Sequence, residues 1–368
     1  MHNSVIKRKY QVFTPEQTVD EMMSLLQYGE NISGKSFLEN SCGDGRFLVK
    51  IVALYVGFCV KEGLSVNEIV VRLERDVVGY ELDKAKLKKC RKSLDDCARS
   101  LGLSKKIKWN LHNEDFLRAD ISRKFDFIVG NPPYLSYWDI PAEDREYLRE
   151  SFITCRRGLW DYSFAFIEKS LKLLKDDIGQ FCYIIPSSIF KTQAALSVRR
   201  ILIPHLKYVQ EYGSRQVFGD VLTSSAILLV DNGCEESVLR YRNMKSQKND
   251  RPKAISRAYL TTADAWHFLG RSKGTATHRL GDAFKVSAGV ATLCNAAFVL
   301  SGWRKNGSVL EDAKTGELIE LDVVKCAVTP RGCKSRLKQH IIFPYKRDER
   351  TRTLRAYTED ELCSRFPN

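Results

Sequence analysis

The sequence predicts a Rossmann-like, open α/β sheet over roughly the first two thirds of the chain. Three short segments with an apolar centre are typical of buried parallel strands; they are 36–40, 77–81 and 126–130. A glycine turn, Ser41–Gly45, follows the first run, Glu81 ends the second, and the sequence N-P-P-Y (Asn131–Tyr134) follows the third. Because open α/β sheets bind ligands at the carboxyl ends of their strands, these three ends predict one binding site.

The remaining elements of the predicted sheet follow in order along the chain. Thr14 before Pro15 predicts a helix N-cap, since the apolar positions after it have helical spacing. A second helix is expected to begin near Arg46, directly after the glycine turn. Further strands are expected at 107–112, 179–188, 208–212 and 226–231, and a helix at 160–174.

The N-P-P-Y sequence is suited to holding an amino group. Pro132 and Pro133 each fix φ near about −65° and lack a backbone donor, so the Pro132 carbonyl and the Asn131 side-chain oxygen can act as two fixed acceptors. If they take both hydrogens of an NH2 group, the nitrogen lone pair becomes nucleophilic. The ring of Tyr134 offers a stacking face to a flat substrate. A turn that only ends the strand is the alternative, and it does not account for this combination of residues.

Positive charge is concentrated at the end of the chain. The net charge of the 368 residues is +14, but residues 1–236 carry +2 (34 basic and 32 acidic residues) and residues 237–368 carry +12 (25 and 13). This division is what a catalytic domain joined to a polyanion-binding domain would show. A solvated basic surface is the alternative, which the N-P-P-Y sequence disfavours.

The composition also disfavours several classes of protein. The first ten residues lack the apolar core of a signal peptide, and no apolar run reaches the length of a membrane span, so we expect a cytoplasmic protein without a membrane partner. The eleven cysteines include no C-x-x-C pair and only six histidines could act as co-ligands. We therefore expect reduced thiols and no metal site.

The N-P-P-Y sequence with its leading strand resembles the catalytic motif of amino-methyltransferases that use S-adenosylmethionine. An F-T-P segment (Phe13–Pro15), a glycine turn and N-P-P-Y in this order resemble the gamma-class DNA adenine-N6 methyltransferases, of the TaqI-like and Eco57I-like kind found in restriction-modification systems. The resemblance implies the class I S-adenosylmethionine-dependent methyltransferase fold for residues 1–235. It also implies methyl transfer to N6 of a flipped adenine in double-stranded DNA, and it leaves room for a separate restriction endonuclease as a partner.

The same resemblance, carried over to matching positions, implies the site residues. Asn131, Pro132, Pro133 and Tyr134 would hold the target base. The cofactor would contact Thr14, Glu39 and Ser41 at its methionine end, Gly43 and Gly45 in the turn, Glu81 and Leu82 at the ribose and adenine, Asp115 and Phe116 at the adenine edge and face, and also Asn131 and Phe166.

Two positions depart from the pattern of the family. Asn40 stands where proline is usual before the glycine turn. The stretch 191–196 lacks the aromatic residue that often forms a second wall against the flipped base. Either Phe190 substitutes for that residue or Tyr134 stacks alone.

Residues 276–368 are expected to form a basic, mixed α/β target-recognition domain after a linker at 236–275. Segments 281–292 and 295–300 alternate like strands, and together with 340–345 they resemble parts of the recognition domain of the Eco57I-like and TaqI-like enzymes. The expected phosphate contacts are Lys334, Arg336, Lys338, Lys346, Arg347, Arg350, Arg352 and Arg355. In the related enzymes the domain continues further, so the resemblance implies an incomplete recognition domain.

Two other functions share part of this pattern. An RNA or protein-glutamine N-methyltransferase would use the same two acceptors, although the basic C-terminal third disfavours glutamine and the F-T-P segment favours DNA. A non-catalytic DNA-binding specificity component with a vestigial cofactor fold is the alternative from another class, and the intact N-P-P-Y sequence disfavours it.

Overall fold

The computed structural model describes residues 14–26, 32–213, 224–244, 251–260, 265–266, 268, 283, 295–329, 339–348 and 353–367. The contacts between residues divide the chain into two compact units, Met1–Lys273 and Gly274–Asn368. Among the described residues, no helix has both the length and the apolar character that crossing a membrane requires.

The described part of the first unit contains one nine-stranded sheet and its covering helices. The strands are β1 (Phe37–Glu39), β2 (Val77–Tyr80), β3 (Asn110–His112), β4 (Phe127–Gly130), β5 (Gln180–Pro186), β6 (Leu206–Glu211), β7 (Ser225–Asp231), β8 (Val238–Asn243) and β9 (Lys253–Ser256). The α-helices are α1 (Glu16–Leu25), α2 (Arg46–Lys61), α3 (Val66–Asp76), α4 (Lys84–Ser100), α5 (Ala142–Ser151), α6 (Ser163–Leu173) and α7 (Leu196–Leu202).

The strand order is β3-β2-β1-β4-β5-β7-β6-β8-β9. Strands β1 to β5 are parallel, whereas β7 runs antiparallel to both of its neighbours. The carboxyl ends of β1, β2, β3, β4 and β5 therefore lie along one edge of the sheet. This arrangement confirms the predicted open α/β sheet and places the predicted site at that edge.

The apolar strands are buried because helices cover both faces of the sheet. Within β4, Phe127 and Val129 pack in one apolar cluster with side chains of α1 to α4. Ile128 points to the other face and packs in a second cluster with side chains of α5, α6 and α7. Burial on both faces explains why these strands are continuously apolar in sequence rather than alternating.

The start of β4 is held against β1 by a buried carboxylate. The Oδ2 atom of Asp126 accepts hydrogen bonds from the backbone N–H of Ser36 at 2.8 Å and from its hydroxyl at 2.7 Å. Lys175 donates to the same oxygen at 2.7 Å. Burial raises the pKa of Asp126, but the Lys175 ammonium and the two Ser36 donors outweigh it and bring the pKa below its usual value.

Two predicted helix starts differ from those observed, and a third agrees. The prediction that Thr14 caps α1 is wrong, because Pro15 occupies the N-cap position and no side chain caps the helix. Helix α6 begins at Ser163, where Asp161 accepts from both the backbone N–H and the hydroxyl of that residue. Helix α2 begins at Arg46, as predicted.

The prediction of a linker at 236–275 is wrong for β8 and β9. Strand β8 pairs in parallel with β6, and β9 pairs antiparallel with β8, so both extend the main sheet. In β8 the buried side chains of Leu239 and Tyr241 alternate with Arg240 and Arg242. These arginines contribute to the basic count of the last third, and their charge concealed a strand with one buried face.

The described part of the second unit is built mainly of short strands. They are β10 (Val299–Ser301), β11 (Arg304–Asn306), β12 (Val309–Glu311), β13 (Leu318–Glu320), β14 (Val324–Ala327), β15 (Gln339–Ile342), β16 (Tyr345–Arg347) and β17 (Leu354–Ala356), with helices α8 (Asn295–Phe298) and α9 (Glu359–Arg365). The sheets are β10-β15-β14, β11-β12-β13 and β16-β17. A small apolar cluster contains Leu300, Leu310, Val323 and Val324.

The strand predicted at 295–300 is only partly correct. Its first four residues form α8, and β10 begins at Val299. The strand predicted at 281–292 lies almost entirely outside the described residues.

Candidate active site

Three segments of the chain meet at Asn131, the first residue after β4. Its Nδ2 atom donates to Oγ1 of Thr14 at 3.2 Å, and its backbone carbonyl accepts from the hydroxyl of Ser41 at 3.0 Å. The bond to Thr14 orients the side-chain amide, so that Nδ2 faces Thr14 and Oδ1 points away from it. The segment before α1, the glycine turn and the N-P-P-Y sequence are thereby joined.

The rest of the N-P-P-Y sequence is held from β5. Pro132 is buried, and Pro133 and Tyr134 are half-buried. The Tyr134 hydroxyl donates to the backbone carbonyl of Ile184 at 2.6 Å, which fixes the direction of the ring. Burial, together with the nearby carboxylate of Asp161, raises the pKa of Tyr134 well above its usual value, so the hydroxyl keeps its proton and remains a donor.

The glycine turn is tied to the end of β2. The backbone N–H of Gly43 donates to Oε2 of Glu81 at 2.9 Å, and Oε1 accepts from the backbone N–H of Asp83 at 2.8 Å. Each carboxylate oxygen still has lone-pair capacity for a hydroxyl donor. Gly45 has φ +92°, and a Cβ atom there would lie 2.7 Å from the sulfur of Cys90 on α4, so both the backbone conformation and the space require glycine.

Glu39 ends β1 as a deeply buried acid, 2% exposed. Burial is the main cause that raises its pKa well above the usual value, although a hydrogen bond from the backbone of Leu48 opposes the shift. Its Oε2 atom has no hydrogen-bond partner among the residues that the structure describes. A buried acid with an unpaired oxygen suits a ligand that brings a positive charge, such as an ammonium group.

Two aromatic rings predicted to contact one adenine lie next to each other. The ring centroids of Phe116 and Phe166 are 5.4 Å apart, and Tyr80 packs on Phe116 at 5.8 Å. Phe116 is 2% exposed and Phe166 is 4% exposed. The pair therefore forms one apolar wall beside the end of β2.

The turn that carries Phe116 depends on a lysine that sequence reasoning missed. The ammonium of Lys169 on α6 donates to the backbone carbonyls of Phe116 at 2.6 Å, Leu117 at 3.2 Å and Ala119 at 2.6 Å. Asp115 accepts from the backbone N–H of Leu117 at 2.9 Å. Burial lowers the pKa of Lys169 and raises that of Asp115. A lysine on an amphipathic helix usually faces solvent, so the sequence alone gives no signal for this role.

Leu82 and Asn113 complete the edge next to Glu81. The side-chain amide of Asn113 donates to the carbonyls of Glu81 at 2.9 Å and Leu82 at 3.1 Å. These two hydrogen bonds join the loops after β2 and β3. Asn113 was missed as well, although its position at the end of a predicted strand was a usable signal.

The departure at Asn40 has a structural explanation. Its Nδ2 atom donates to the hydroxyl of Ser170 on α6 at 3.1 Å and also to the hydroxyl of Tyr183 on β5. Those two hydroxyls are themselves 2.6 Å apart. A Cβ atom at Gly130 would lie 3.7 Å from Oδ1 of Asn40, so this buried polar cluster packs directly beside the end of β4.

Phe190 is not available as a second wall for a target base. It is fully buried, and its ring packs against Trp266 at 6.0 Å and Phe268 at 5.0 Å. Of the two alternatives left open by the sequence, the one that relies on Phe190 is therefore wrong.

The second unit uses two of the predicted phosphate contacts internally. Arg355 donates to both carboxylate oxygens of Glu361 at 2.7 and 2.8 Å, and Lys346 donates to the same carboxylate. These cations lower the pKa of Glu361, and its carboxylate offsets part of their charge, so a phosphate contact at Lys346 or Arg355 would compete with this ion pair. Arg347 is exposed. The other predicted contacts, Lys334, Arg336, Lys338, Arg350 and Arg352, lie outside the described residues.

A family model matches part of the first unit. Residues 59–218, which include N-P-P-Y, match the Eco57I restriction-modification methylase. The matched segment covers β2 to β6, and the residues that precede it, including Thr14 and Ser41, meet it at Asn131.

Curated proteins similar to this chain carry related names. The type II methyltransferase M.BstVI of Geobacillus stearothermophilus is 27% identical over 245 residues, which cover 62% of this chain and 43% of the relative. The modification methylase CviBIII of Paramecium bursaria Chlorella virus NC1A is 26% identical over 238 residues, covering 64% and 53%. The chain thus spans about half the length of these relatives.

Solved structures show the same fold. The Type ISP restriction-modification enzyme LlaGI, solved as a nuclease-deletion mutant in complex with a DNA substrate mimic, aligns with a TM-score of 0.52 over 67% of this chain and 25% of that chain, at 15% identity. The ATP-dependent Type ISP enzyme LlaBIII bound to DNA gives a TM-score of 0.52 over 64% and 20%, at 14% identity. The predicted Rossmann-like methyltransferase fold is confirmed.

Proposed function

We propose that the chain is a DNA methyltransferase that transfers a methyl group from S-adenosylmethionine to N6 of adenine within a restriction-modification system. The observation that carries the proposal is the meeting of Thr14, Ser41 and Asn131 at the carboxyl edge of the sheet. In this arrangement Asn131 lies beside the glycine turn, which supports the proposal that a substrate amine and a cofactor meet there. Relatives named as type II methyltransferases support DNA as the substrate class.

The residues along this edge fit the proposed cofactor. Glu39 offers an unpaired buried oxygen to the ammonium of the methionine end, and Glu81 offers lone pairs to the ribose hydroxyls. Phe116 and Phe166 supply an apolar wall for the adenine ring. When bound, S-adenosylmethionine supplies a methyl group already activated on a sulfonium.

The N-P-P-Y residues would prepare the target base. Oδ1 of Asn131 and the carbonyl of Pro132 accept the two N6 hydrogens, which draws the nitrogen lone pair out of conjugation and aims it at the methyl group. The Tyr134 ring stacks on the base, in an orientation fixed by its bond to Ile184. The N6 lone pair would form the new N–C bond with the methyl group that the cofactor supplies, the S–C electron pair would remain with sulfur, and N6 would then lose one proton to water.

The test separates this function from its rivals. Asn131→Ala should lower methyl transfer to duplex DNA by about 100-fold or more, the scale seen when one preorganised polar group is removed, while cofactor binding is largely retained. Asn67→Ala, at an exposed position of α3, is the matched control and should behave as wild type. Tritium transfer from labelled cofactor to DNA, RNA and protein, followed by analysis of the modified nucleosides, measures both substrate and product.

Each outcome has a defined meaning. Normal turnover by Asn131→Ala contradicts the mechanism. Label in RNA or protein but not in DNA supports the alternative substrates, and cofactor binding without any turnover supports a non-catalytic component. Label in DNA outside N6-methyladenine overturns the adenine assignment alone.

The restriction-modification role can be tested in cells. Genomic DNA from cells that express the chain should carry the modified base at one defined sequence and should resist a nuclease that cuts there. Unmodified genomic DNA, despite activity on duplexes in vitro, would contradict a protective role.

A further inference from the structure

One tryptophan of the first unit is exposed next to the candidate site. Trp138 is 72% exposed, whereas Trp109, Trp160 and Trp266 are at most 5% exposed. It lies in a 3-10 helix, Tyr137–Asp139, that begins three residues after Tyr134. So large an apolar ring gains no free energy from burial while it is exposed to water, so a binding partner that covers it would be stabilised.

The backbone that carries Trp138 is firmly held. The carbonyl of Leu135, which is itself buried, accepts from the backbone N–H of Tyr162 at 3.0 Å. The hydroxyl of Ser136 donates to Asp139 at 2.6 Å, and the backbone N–H of Asp139 donates back to the Ser136 carbonyl at 2.9 Å. These bonds close the short helical turn on both sides of the tryptophan.

The ring is also supported from below by Tyr137. Trp138 packs edge-on to Tyr137, with ring centroids 5.2 Å apart and planes at 86°. Tyr137 in turn packs edge-on to the buried Trp160 at 5.3 Å, lies under the guanidinium of Arg145 at 4.9 Å, and accepts a hydrogen bond from Arg149. The platform therefore limits how far the exposed ring can move, which lowers the entropy cost of stacking on a partner.

Exposed cations occupy the neighbouring connections at the same edge of the sheet. Arg156 and Arg157 are exposed shortly before Trp160, and Lys191 is exposed in the connection after β5. The two connections touch, because a Cβ atom at Gly158 would lie 3.5 Å from Ala194. None of the three cations forms an ion pair with another residue in the described part of the chain. A partner that offers flat apolar faces together with regularly spaced negative charges would complement this surface.

We propose that Trp138 stacks on a base of the DNA duplex beside the extruded adenine, while Arg156, Arg157 and Lys191 contact its phosphates. The inference rests on the proposed function. Trp138 follows Tyr134 by four positions, so their Cα atoms lie within about 14 Å of each other. Neighbouring bases are spaced by about 3.4 Å, so the bases next to the target fall inside that reach.

The test compares three variants of the full chain with duplex genomic DNA as the substrate. Trp138→Ala should raise KM for DNA by about 5-fold to 150-fold, the range that base stacking on an aromatic ring covers, with little change in kcat. Cofactor affinity and thermal stability should stay as in wild type. Trp138→Phe keeps an aromatic face and should restore most of the loss.

The matched control is Tyr259→Ala. Tyr259 is 81% exposed in the 3-10 helix after β9, and four strands separate β9 from β4 in the sheet. This variant should leave KM for DNA unchanged.

The outcomes separate this inference from the function on which it rests. A wild-type chain that methylates no DNA removes the proposed function and the inference with it. An active wild type whose KM for DNA is unaffected by Trp138→Ala overturns the inference alone. A change in sedimentation-derived mass, with KM for DNA unchanged, would mean that the tryptophan faces another protein chain, which also overturns it.

Discussion

The sharpest stability prediction concerns Asp126, which joins the start of β4 to β1. We expect Asp126→Asn to lower the free energy of opening of these strands by about 2 kcal/mol. Hydrogen bonds to a charged group contribute roughly 1.5–3 kcal/mol each, against about 1 for neutral pairs, so neutralising the two buried bonds from Ser36 removes about 1 kcal/mol apiece. The ammonium of Lys175 is 40% exposed, and its contribution is therefore discounted to less than about 1 kcal/mol.

Hydrogen–deuterium exchange of peptides that cover β1 and β4 measures this effect locally, without interference from the second unit. Lys175→Met is the matched control, and it should cost less than Asp126→Asn because it leaves both Ser36 bonds in place. Equal effects of the two substitutions would refute the reasoning, because they would show that the exposed ion pair, and not the buried bonds, carries the stability.

The difference in stability between wild type and Asp126→Asn should depend on pH with a definite sign. The folded-state pKa of Asp126 is lowered, so the charged carboxylate stabilises the fold above the unfolded-state pKa of about 3.9. The difference between wild type and Asp126→Asn should be constant near neutral pH. It should shrink only as pH falls below about 4 and through the lower folded-state value. A difference that grows with acidification would have the wrong sign for this interaction.

Two further predictions concern the cofactor edge under the proposed function. Because burial raises the pKa of Glu39, cofactor affinity should fall by up to about tenfold per pH unit as the acid takes up its proton. Calorimetric titrations of wild type at several pH values should show this slope. A slope that persists in Glu39→Gln would assign the proton to another group. Lys169→Met should weaken cofactor binding at least about fivefold, because three carbonyls that hold the Phe116 turn lose their donor. Lys172→Met should not, because it removes an ion pair with buried Glu168 and a contact with the Phe152 ring but leaves the three carbonyl bonds in place. Equal dissociation constants for the two variants would contradict the assigned role of Lys169.

The residues that sequence reasoning placed correctly share one property: their position follows from strand ends. Glu39, Glu81 and Asn131 each follow a continuously apolar run, and parallel strands bring such ends to one edge whatever the details of packing. The glycine turn could also be predicted from the sequence. The structure explains why glycine is needed there, because Gly45 has a positive φ and a Cβ atom would lie too close to Cys90.

The residues that were missed or misplaced depend on contacts that no local pattern encodes. Thr14 has the sequence signature of a helix cap, yet its hydroxyl bonds Asn131, 117 positions away. Lys169 has the signature of a solvent-facing helix residue, yet it holds a turn about fifty residues earlier in the chain. Phe190 fits the requirement for an aromatic wall in residue type alone, but Trp266 and Phe268 enclose it. In each case the decisive partner is distant in sequence.

The positions of Asn131 and the glycine turn depend on how firmly β1 and β4 are joined. The backbone pairing between them is short, with only Phe37 opposite Phe127 and Leu38 opposite Ile128. Side chains therefore hold the pair at both ends. Asp126 binds Ser36 where the strands begin, and Asn40 packs beside Gly130 where they end.

The contacts of Asn40 at the end of this strand pair explain why proline is not required at position 40. Proline would stiffen the exit of β1 but could offer no side-chain donor. Asn40 instead donates to Ser170 and Tyr183, so α6 and β5, the elements that also hold the Phe116 turn and the Tyr134 ring, fix the exit of β1. Under the proposed function, one buried polar cluster thus couples the side of the edge that would hold the cofactor to the side that would hold the base, and displacing it would shift both sides together.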